Sequence, residues 1–409
     1  MSNKPFFSIV TPTRNRANYL PTAIQSALNQ NFTDFELIIS DNFSDDATPE
    51  TARSFDDPRI KYFRTQNFLP INESWQFGLS QARGEYVVFL SDDDAYSKIF
   101  LESFAKELQT HHADIAACGI AQYYEADSHE TRHKITFSHF SNKSYEYDCG
   151  GRKSEVLKYM FAKGNLTDYP ESFQISELPY LANAAYKREI FLSMKEKLGG
   201  IFSRNLNSTD IYSALIILGN FTKKYCYLDK PLYLQRVSDT SLTRSGNIEK
   251  QKKIYGKPSH NLGKYQSFFL DFSYLNPWIE ACLLAVTDTK TTLEFELSWA
   301  KYYIKSFDSL MYLQSHGFDM SKEKRNFFET LERRDKKTRD EVLSVIATPR
   351  KRISNFIRSS KMISSLLRAR DNFRPKEENL VGLDEPLEIG QYAEMIDESF
   401  LAAHASSNG

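Results

Sequence analysis

Short apolar runs alternate along the first ninety residues with segments whose apolar positions recur at helical spacing. Phe6 to Thr11 reads as a strand, and Asn18 to Gln30 as a helix with Leu20, Ile24, Ala27 and Leu28 on one face. Phe35 to Ser40 repeats the strand pattern and ends at Asp41, and Arg59 to Phe63 is a shorter third strand. Ile71 to Ala82 carries Trp75, Leu79 and Ala82 at helical spacing, and Tyr86 to Leu90 is long enough for one buried strand. Strands separated by helical segments need crossover connections, which predicts an α/β domain with a mostly parallel central sheet. Residues 119–182 are polar and aromatic without a clear period. Within and beyond them, Gly151 to Phe161 predicts a helix, Ala182 to Tyr186 a strand, and Tyr225 to Leu228 and Leu232 to Arg236 two short strands. From Phe268 onward helical periodicity dominates through Trp278, Leu283, Leu293, Leu297, Ile304, Phe327 and Leu331. That pattern predicts a small helical bundle over 260–345.

The apolar run Tyr86–Leu90 is followed by Ser91 and three consecutive carboxylates, Asp92, Asp93 and Asp94. In open α/β sheets ligands bind where strands leave the sheet. Clustered carboxylates repel one another, so a site that gathers them commonly also holds a cation, and a hard divalent ion on one or two carboxylates commonly meets a diphosphate. A solvated turn is the competing reading, because Asp is common in turns. Two other strand ends are polar in a matching way: Thr11-Pro12-Thr13-Arg14-Asn15, where Arg14 is placed to meet a phosphate, and Asp41-Asn42-Phe43-Ser44-Asp45-Asp46. No glycine-rich dinucleotide fingerprint or phosphate-loop motif is present, so a nucleotide would have to be held differently.

Composition narrows the field. The formal net charge is −1, which argues against a general nucleic-acid binder. Cys118, Cys149, Cys226 and Cys282 are widely spaced and show no metal-binding pairs, as expected for a reducing cytosol. The amino-terminal apolar stretch is too short for a signal peptide, and no apolar run is long enough to span a membrane. Local charge is uneven. Nine basic residues, Arg350, Lys351, Arg352, Arg358, Lys361, Arg368, Arg370, Arg374 and Lys376, interleave with Ile353, Phe356, Ile357, Ile363, Leu366 and Leu367. This is the pattern of an amphipathic helix on an anionic membrane surface; RNA, a partner helix or the protein's own domain fit it too. Residues 377–409 carry acidic groups and no Lys or Arg. The expected domains are 1–245, a linker at 246–265, a helical domain at 266–376 with the basic segment, and an acidic tail at 377–409.

Read in order, Phe7–Arg16, Leu28–Phe32, Phe35–Asp46, Ala82–Tyr86 and the acidic triplet resemble the family 2 glycosyltransferases of bacterial glycan assembly, which have the GT-A nucleotide-diphospho-sugar transferase fold. The resemblance covers roughly residues 5–240. It implies a nucleoside-diphosphate sugar as donor, with UDP the commoner nucleotide, and a glycan or polyprenyl-linked saccharide as acceptor. It implies Mg2+ or Mn2+ as cofactor and inversion of the anomeric centre. Thr11 and Asp41 are then expected beside the nucleotide, Asp41 on its base, with Arg83 near the phosphates or base edge. Ser91 stands where the family has the first acid of its Asp-x-Asp element. The register makes Asp93 the leading metal or diphosphate ligand, with Asp92 and Asp94 as alternatives. The family's Glu-Asp pair precedes a helix, and Thr209-Asp210 occupies that position, which gives Asp210 the role of catalytic base; a helix cap is the plainer alternative. Arg236 matches a basic position near the donor phosphates, and Ser238 replaces a common histidine. Tyr169 and Tyr180 are acceptor-side candidates, in a segment expected to border the acceptor or to form ordinary surface. The expected location is cytoplasmic, and peripheral at the inner face of the plasma membrane if the basic segment meets lipid. Two other classes compete: a carbohydrate- or nucleotide-binding module without catalysis, suggested by Ser91 and Thr209, and a nucleotidyltransferase.

Overall fold

A computed structural model describes residues 4–124, 134–136, 141, 143–163, 167, 179–200, 217–237, 282, 285–286, 288–315, 320–347 and 381–382. The chain divides into two units, one of Met1–Lys153, Ile175–Ser241 and Pro375–Gly409, the other of Ser154–Gln174 and Leu242–Arg374.

The first unit is built on one twisted sheet. Strands β1 (Phe7–Thr13), β2 (Phe35–Asp41), β3 (Ile60–Arg64) and β4 (Tyr86–Phe89) lie in the order β4-β1-β2-β3, all parallel. Helices α1 (Leu20–Leu28), α2 (Thr48–Arg53) and α3 (Ile71–Ser80) make the crossovers. β1, β2 and β4 are buried along their whole length apart from Pro12, which is why they read as unbroken apolar runs and not as alternating ones. Beyond β4 the sheet changes character. A two-residue strand β5 (Ala95–Tyr96) and helix α4 (Phe100–His111) lead to β6 (Ile115–Tyr124). Strand β7 (Lys134–Thr136), β8 (Ser144–Asp148) and β9 (Ala184–Lys187) follow, and β9 runs antiparallel between β4 and β6. Helix α6 (Arg188–Leu198) and a short π-helical turn, Ile217–Phe221, precede β10 (Lys224–Val237), which pairs parallel with β6 and antiparallel with β5 and β8. β11 (Val381–Gly382) pairs with β7.

Particular side chains fix this arrangement. Gln30, buried just past α1, donates to the Ser97 carbonyl at 2.8 Å and accepts from the Leu101 N–H at 3.0 Å, which ties α1 to the start of α4. Tyr96 stacks on Phe100 at 3.8 Å and donates to the Phe89 carbonyl at 2.8 Å. Gly84 is needed for close approach, since a Cβ there would stand 2.6 Å from the Ser8 backbone nitrogen.

The pair of short strands expected at 225–236 is one long strand with a register shift between Leu228 and Tyr233. Pro231 lies in the interruption, where its missing N–H makes it compatible with a break in the ladder.

In the second unit, α5 (Lys153–Lys163), whose first residue closes the first segment of the other unit, brings Phe161 edge-on to Phe295 at 6.0 Å. Helices α7 (Trp299–Ser315), α8 (Ser321–Glu332) and α9 (Lys336–Ile346) bury Tyr303, Phe307, Phe327, Leu331 and Val342. Arg334 stacks on Trp299 at 3.8 Å, and Asp335 caps α9 by accepting from the Thr338 N–H at 2.9 Å. The helical character expected over 260–345 is present in its described part. No described helix is long and apolar enough to cross a membrane.

Candidate functional site

Because β1, β2 and β4 are parallel, the segments that follow them leave the sheet at one edge. The first two are laced together. The Asn15 N–H donates to Ser44 Oγ at 3.0 Å, and Asn15 Oδ1 accepts from the Asp45 N–H at 3.0 Å. The Arg16 N–H donates to Thr48 Oγ1 at 2.9 Å. Asn15 and Phe43 both take left-handed backbone angles, φ 53° and 58°, to make these turns.

Asp41 is fully buried at the end of β2. Its Oδ1 accepts from the Ser44 N–H at 2.9 Å and the Ser44 hydroxyl at 2.6 Å; its Oδ2 accepts from the Tyr62 hydroxyl at 2.6 Å and lies 3.7 Å from Arg64 Nε. Asp41 therefore shapes the loop that it opens. The next residue, Asn42, grips the Leu69 backbone through both its amide atoms, at 2.9 Å each. Arg14 donates to the Asn42 carbonyl at 3.2 Å and lies 4.3 Å over the ring of Phe68, an exposed aromatic.

The acidic triplet follows β4 at the same edge. Asp92 Oδ1 lies 3.8 Å from Arg16 Nε. Burial, reinforced by the charge of Asp93, pushes the Asp92 carboxyl up to about 7, and the same two causes raise Asp94 to about 7. Asp94 turns into the sheet and is buried. Its Oδ1 accepts from the Arg236 N–H at 2.7 Å and its Oδ2 from the Tyr233 hydroxyl. Arg236 Nε donates to the Asp93 carbonyl at 3.0 Å, and its guanidinium lies 5.1 Å from the ring of Tyr19 and 5.6 Å from that of Tyr123. Two guanidiniums, those of Arg16 and Arg236, thus flank the triplet.

The structure brings Thr11, Arg14, Asp41, Asp92, Asp93, Asp94 and Arg236 to one edge of the sheet. Thr11 is buried, and its hydroxyl has no hydrogen-bond partner among the described residues. Arg83 is a correction. Its Nη2 lies 2.6 Å from Glu36 Oε2, and its N–H donates to Ser8 Oγ at 3.1 Å. Ser8 and Glu36 are the second residues of β1 and β2, so Arg83 sits at the amino end of the sheet. Thr13 lies five residue steps along β1 from Ser8, a distance of roughly 16 Å. Asp94, one of the expected metal ligands, is buried, and each of its oxygens accepts a hydrogen bond from β10. Tyr180 is half-buried just before β9, while Tyr169 and Asp210 lie outside the described residues. Arg16 and Tyr19 were not singled out by the pattern, although both follow directly on β1. Asn183, immediately before β9, is also new: it donates to the Cys118 carbonyl at 2.6 Å while its buried amide oxygen has no partner among the described residues.

The donor set fits a hard divalent ion. It offers carboxylate oxygens without sulfur or imidazole, and its carboxyls are raised by burial and mutual repulsion. Among the described residues no three His, Cys, Asp or Glu side chains form a ready metal cluster. An ion here would draw its remaining ligands from a bound diphosphate and water.

Comparison with known proteins agrees with this geometry. Residues 8–177 match the family described as glycosyl transferase family 2. The chain is 32% identical over 190 residues to the GalNAc(5)-diNAcBac-PP-undecaprenol beta-1,3-glucosyltransferase of Campylobacter jejuni, covering 46% of this chain and 56% of that one. It is 23% identical over 244 residues to glycosyltransferase GlyA of Streptococcus pneumoniae, 58% of this chain and 31% of that one. It is 23% identical over 287 residues to the cholesterol galactosyltransferase of Borreliella burgdorferi, 65% of this chain and 73% of that one. The chain thus spans about half or less of the first two relatives. Among solved structures, residues 1–349 of S. aureus TarS, crystallised with UDP-GlcNAc, superpose with a TM-score of 0.52 at 16% identity, covering 86% of this chain and 89% of that one. At that identity the likeness concerns the fold.

Proposed function

We propose that this chain, whose residues 8–177 match glycosyl transferase family 2 and whose sheet and helices make a GT-A-like fold with a helical extension, is a member of that family and transfers a sugar from a nucleoside-diphosphate sugar to a hydroxyl of a glycan or lipid-linked saccharide, with inversion. One observation carries this reading: the convergence of Asp92 and Asp93 with Arg16, Arg236 and the laced loops at the carboxyl edge of the parallel strands. That is the place and the charge pattern a diphosphate needs.

In this reading Thr11 and Asp41 border the nucleotide, and Arg14 and Arg236 meet the phosphates. Asp93 is the leading metal ligand, with Asp92 beside it. Mg2+ or Mn2+ bound there would neutralise charge developing on the leaving diphosphate. Asp210 accepts the proton of the attacking hydroxyl, and Tyr169 and Tyr180 border the acceptor. The name of the Campylobacter relative specifies a PP-undecaprenol saccharide and that of the Borreliella relative cholesterol, which favours an acceptor carrying a lipid. A lipid-borne acceptor would suit a peripheral position at the inner face of the plasma membrane, held by the basic segment from Arg350 to Lys376.

The test is product analysis with UDP-, GDP- and dTDP-sugars, Mn2+ and a polyprenyl-linked saccharide. Free nucleoside diphosphate with an extended saccharide supports transfer. A parallel incubation with a nucleoside triphosphate and a sugar 1-phosphate that releases pyrophosphate would make the protein a nucleotidyltransferase, and binding without turnover would make it a binding module.

A further inference from the structure

We propose that Asp94 is a positioning residue: it fixes the Arg236 guanidinium beside the Asp92-Asp93 loop and does not itself ligate a metal. The inference rests on the proposed donor site and deepens it.

Asp94 is 4% exposed, and its two oxygens accept from two points on the same strand, the Tyr233 hydroxyl and the Arg236 N–H. Each bond directs one oxygen toward β10, so turning the carboxylate out of the sheet toward a metal would break at least one of them and leave a buried unpaired donor. The bonds have a geometric result instead. From the backbone point that Asp94 holds, the Arg236 side chain turns back and donates Nε–H to the Asp93 carbonyl at 3.0 Å. Asp94 side chain, Arg236 backbone, Arg236 side chain and Asp93 backbone thus form a closed ring of contacts. The guanidinium is further confined between the rings of Tyr19 and Tyr123. Its rotamer is chosen before a ligand arrives, so a diphosphate would not have to immobilise a long flexible side chain. The tie has a second use. The register of β10 against β6 shifts between Leu228 and Tyr233, and Asp94 anchors the strand immediately after that shift.

Calorimetric titration of the full-length protein with UDP, GDP and dTDP in the presence of Mn2+ tests this. Arg236→Ala is expected to weaken binding of the accepted nucleotide by about tenfold, the order expected for a charged hydrogen-bonded contact. Asp94→Ala should weaken it by a similar factor, and the double variant should bind no worse than the weaker single one. Asp94→Asn keeps an oxygen for the Arg236 N–H and should stay within about threefold of wild type. The Mn2+ concentration that half-saturates UDP binding should not change in either Asp94 variant. Multiplicative losses in the double variant, or Asp94→Asn binding as poorly as Asp94→Ala with a raised Mn2+ requirement, would overturn the proposal. If Asp94→Ala does not fold, Tyr233→Phe removes one of the two anchors and enters the same cycle with Arg236→Ala, where multiplicative losses again count against it. A wild type that binds none of the three nucleotides contradicts the proposed function. A wild type that binds, with affinity undiminished by Arg236→Ala, contradicts the roles given to Arg236 and Asp94 and leaves the donor-binding reading standing.

Discussion

Arg83 holds Glu36 through side chain and backbone together: Nε and Nη2 donate to Oε2 at 3.0 and 2.6 Å, and the Arg83 N–H donates to Oε1 at 2.9 Å. Glu36 is 4% exposed, so these bonds are what make its burial tolerable. Arg83→Ala is therefore expected to lower stability by about 1–3 kcal/mol, the range for hydrogen bonds to a buried charge. Nucleotide affinity should stay within about twofold of wild type, because the residue is far from the carboxylate edge. Urea unfolding and a nucleotide titration read the two effects separately. An Arg83→Ala protein of normal stability and weakened nucleotide binding would restore the donor-site role.

The pH dependence of the metal-free protein follows from Asp92. Burial and the Asp93 charge raise its folded-state value to about 7 from an ordinary 3.8. Between those values the folded chain binds more protons than the unfolded one, so this carboxyl's contribution is complete below the lower value and is lost as pH rises through the upper one. The melting temperature measured in chelator should fall between about pH 4 and pH 7. Asp92→Asn should flatten that fall. A profile that the substitution leaves unchanged would show that Asp92 is not the responsible group.

The pattern of residues made much of this legible, for physical reasons that also explain the exceptions. Buried parallel strands must be apolar on both faces, so Phe7–Thr13, Phe35–Asp41 and Tyr86–Phe89 stood out, and with them the polar residues at their carboxyl ends. Arg83 was misplaced although a signal was available. It precedes its strand, and in a parallel sheet the residue before a strand lies at the edge opposite the residue after it. Arg16 and Tyr19 carried the converse signal, since both follow β1. The inward turn of Asp94 was not readable, because it depends on Tyr233 and Arg236, some 140 residues away in the chain. β6 and β8 escaped assignment because both pair with β10, about 80 to 110 residues further along the chain, and β7 is only three residues long.

Asp210 is the proposed base, and a base acts on the chemical step more than on donor binding. Asp210→Asn preserves shape and removes basicity. It should bind the nucleotide sugar as wild type does and lose acceptor-dependent turnover by on the order of a hundredfold or more. Near-normal transfer by the folded variant would remove Asp210 from the mechanism and direct the search to Asp168 and Glu177, the carboxylates near Tyr169 and Tyr180 in the segment expected from the sequence to border the acceptor.

The most direct measurement is Mn2+-dependent release of nucleoside diphosphate from a nucleoside-diphosphate sugar, with and without a polyprenyl-linked saccharide, for wild type and Asp93→Ala side by side. The account predicts diphosphate release by wild type that the acceptor accelerates, abolished by chelator and reduced by at least about a hundredfold in the folded Asp93→Ala protein. No diphosphate release by wild type, or undiminished diphosphate release by Asp93→Ala, would contradict it.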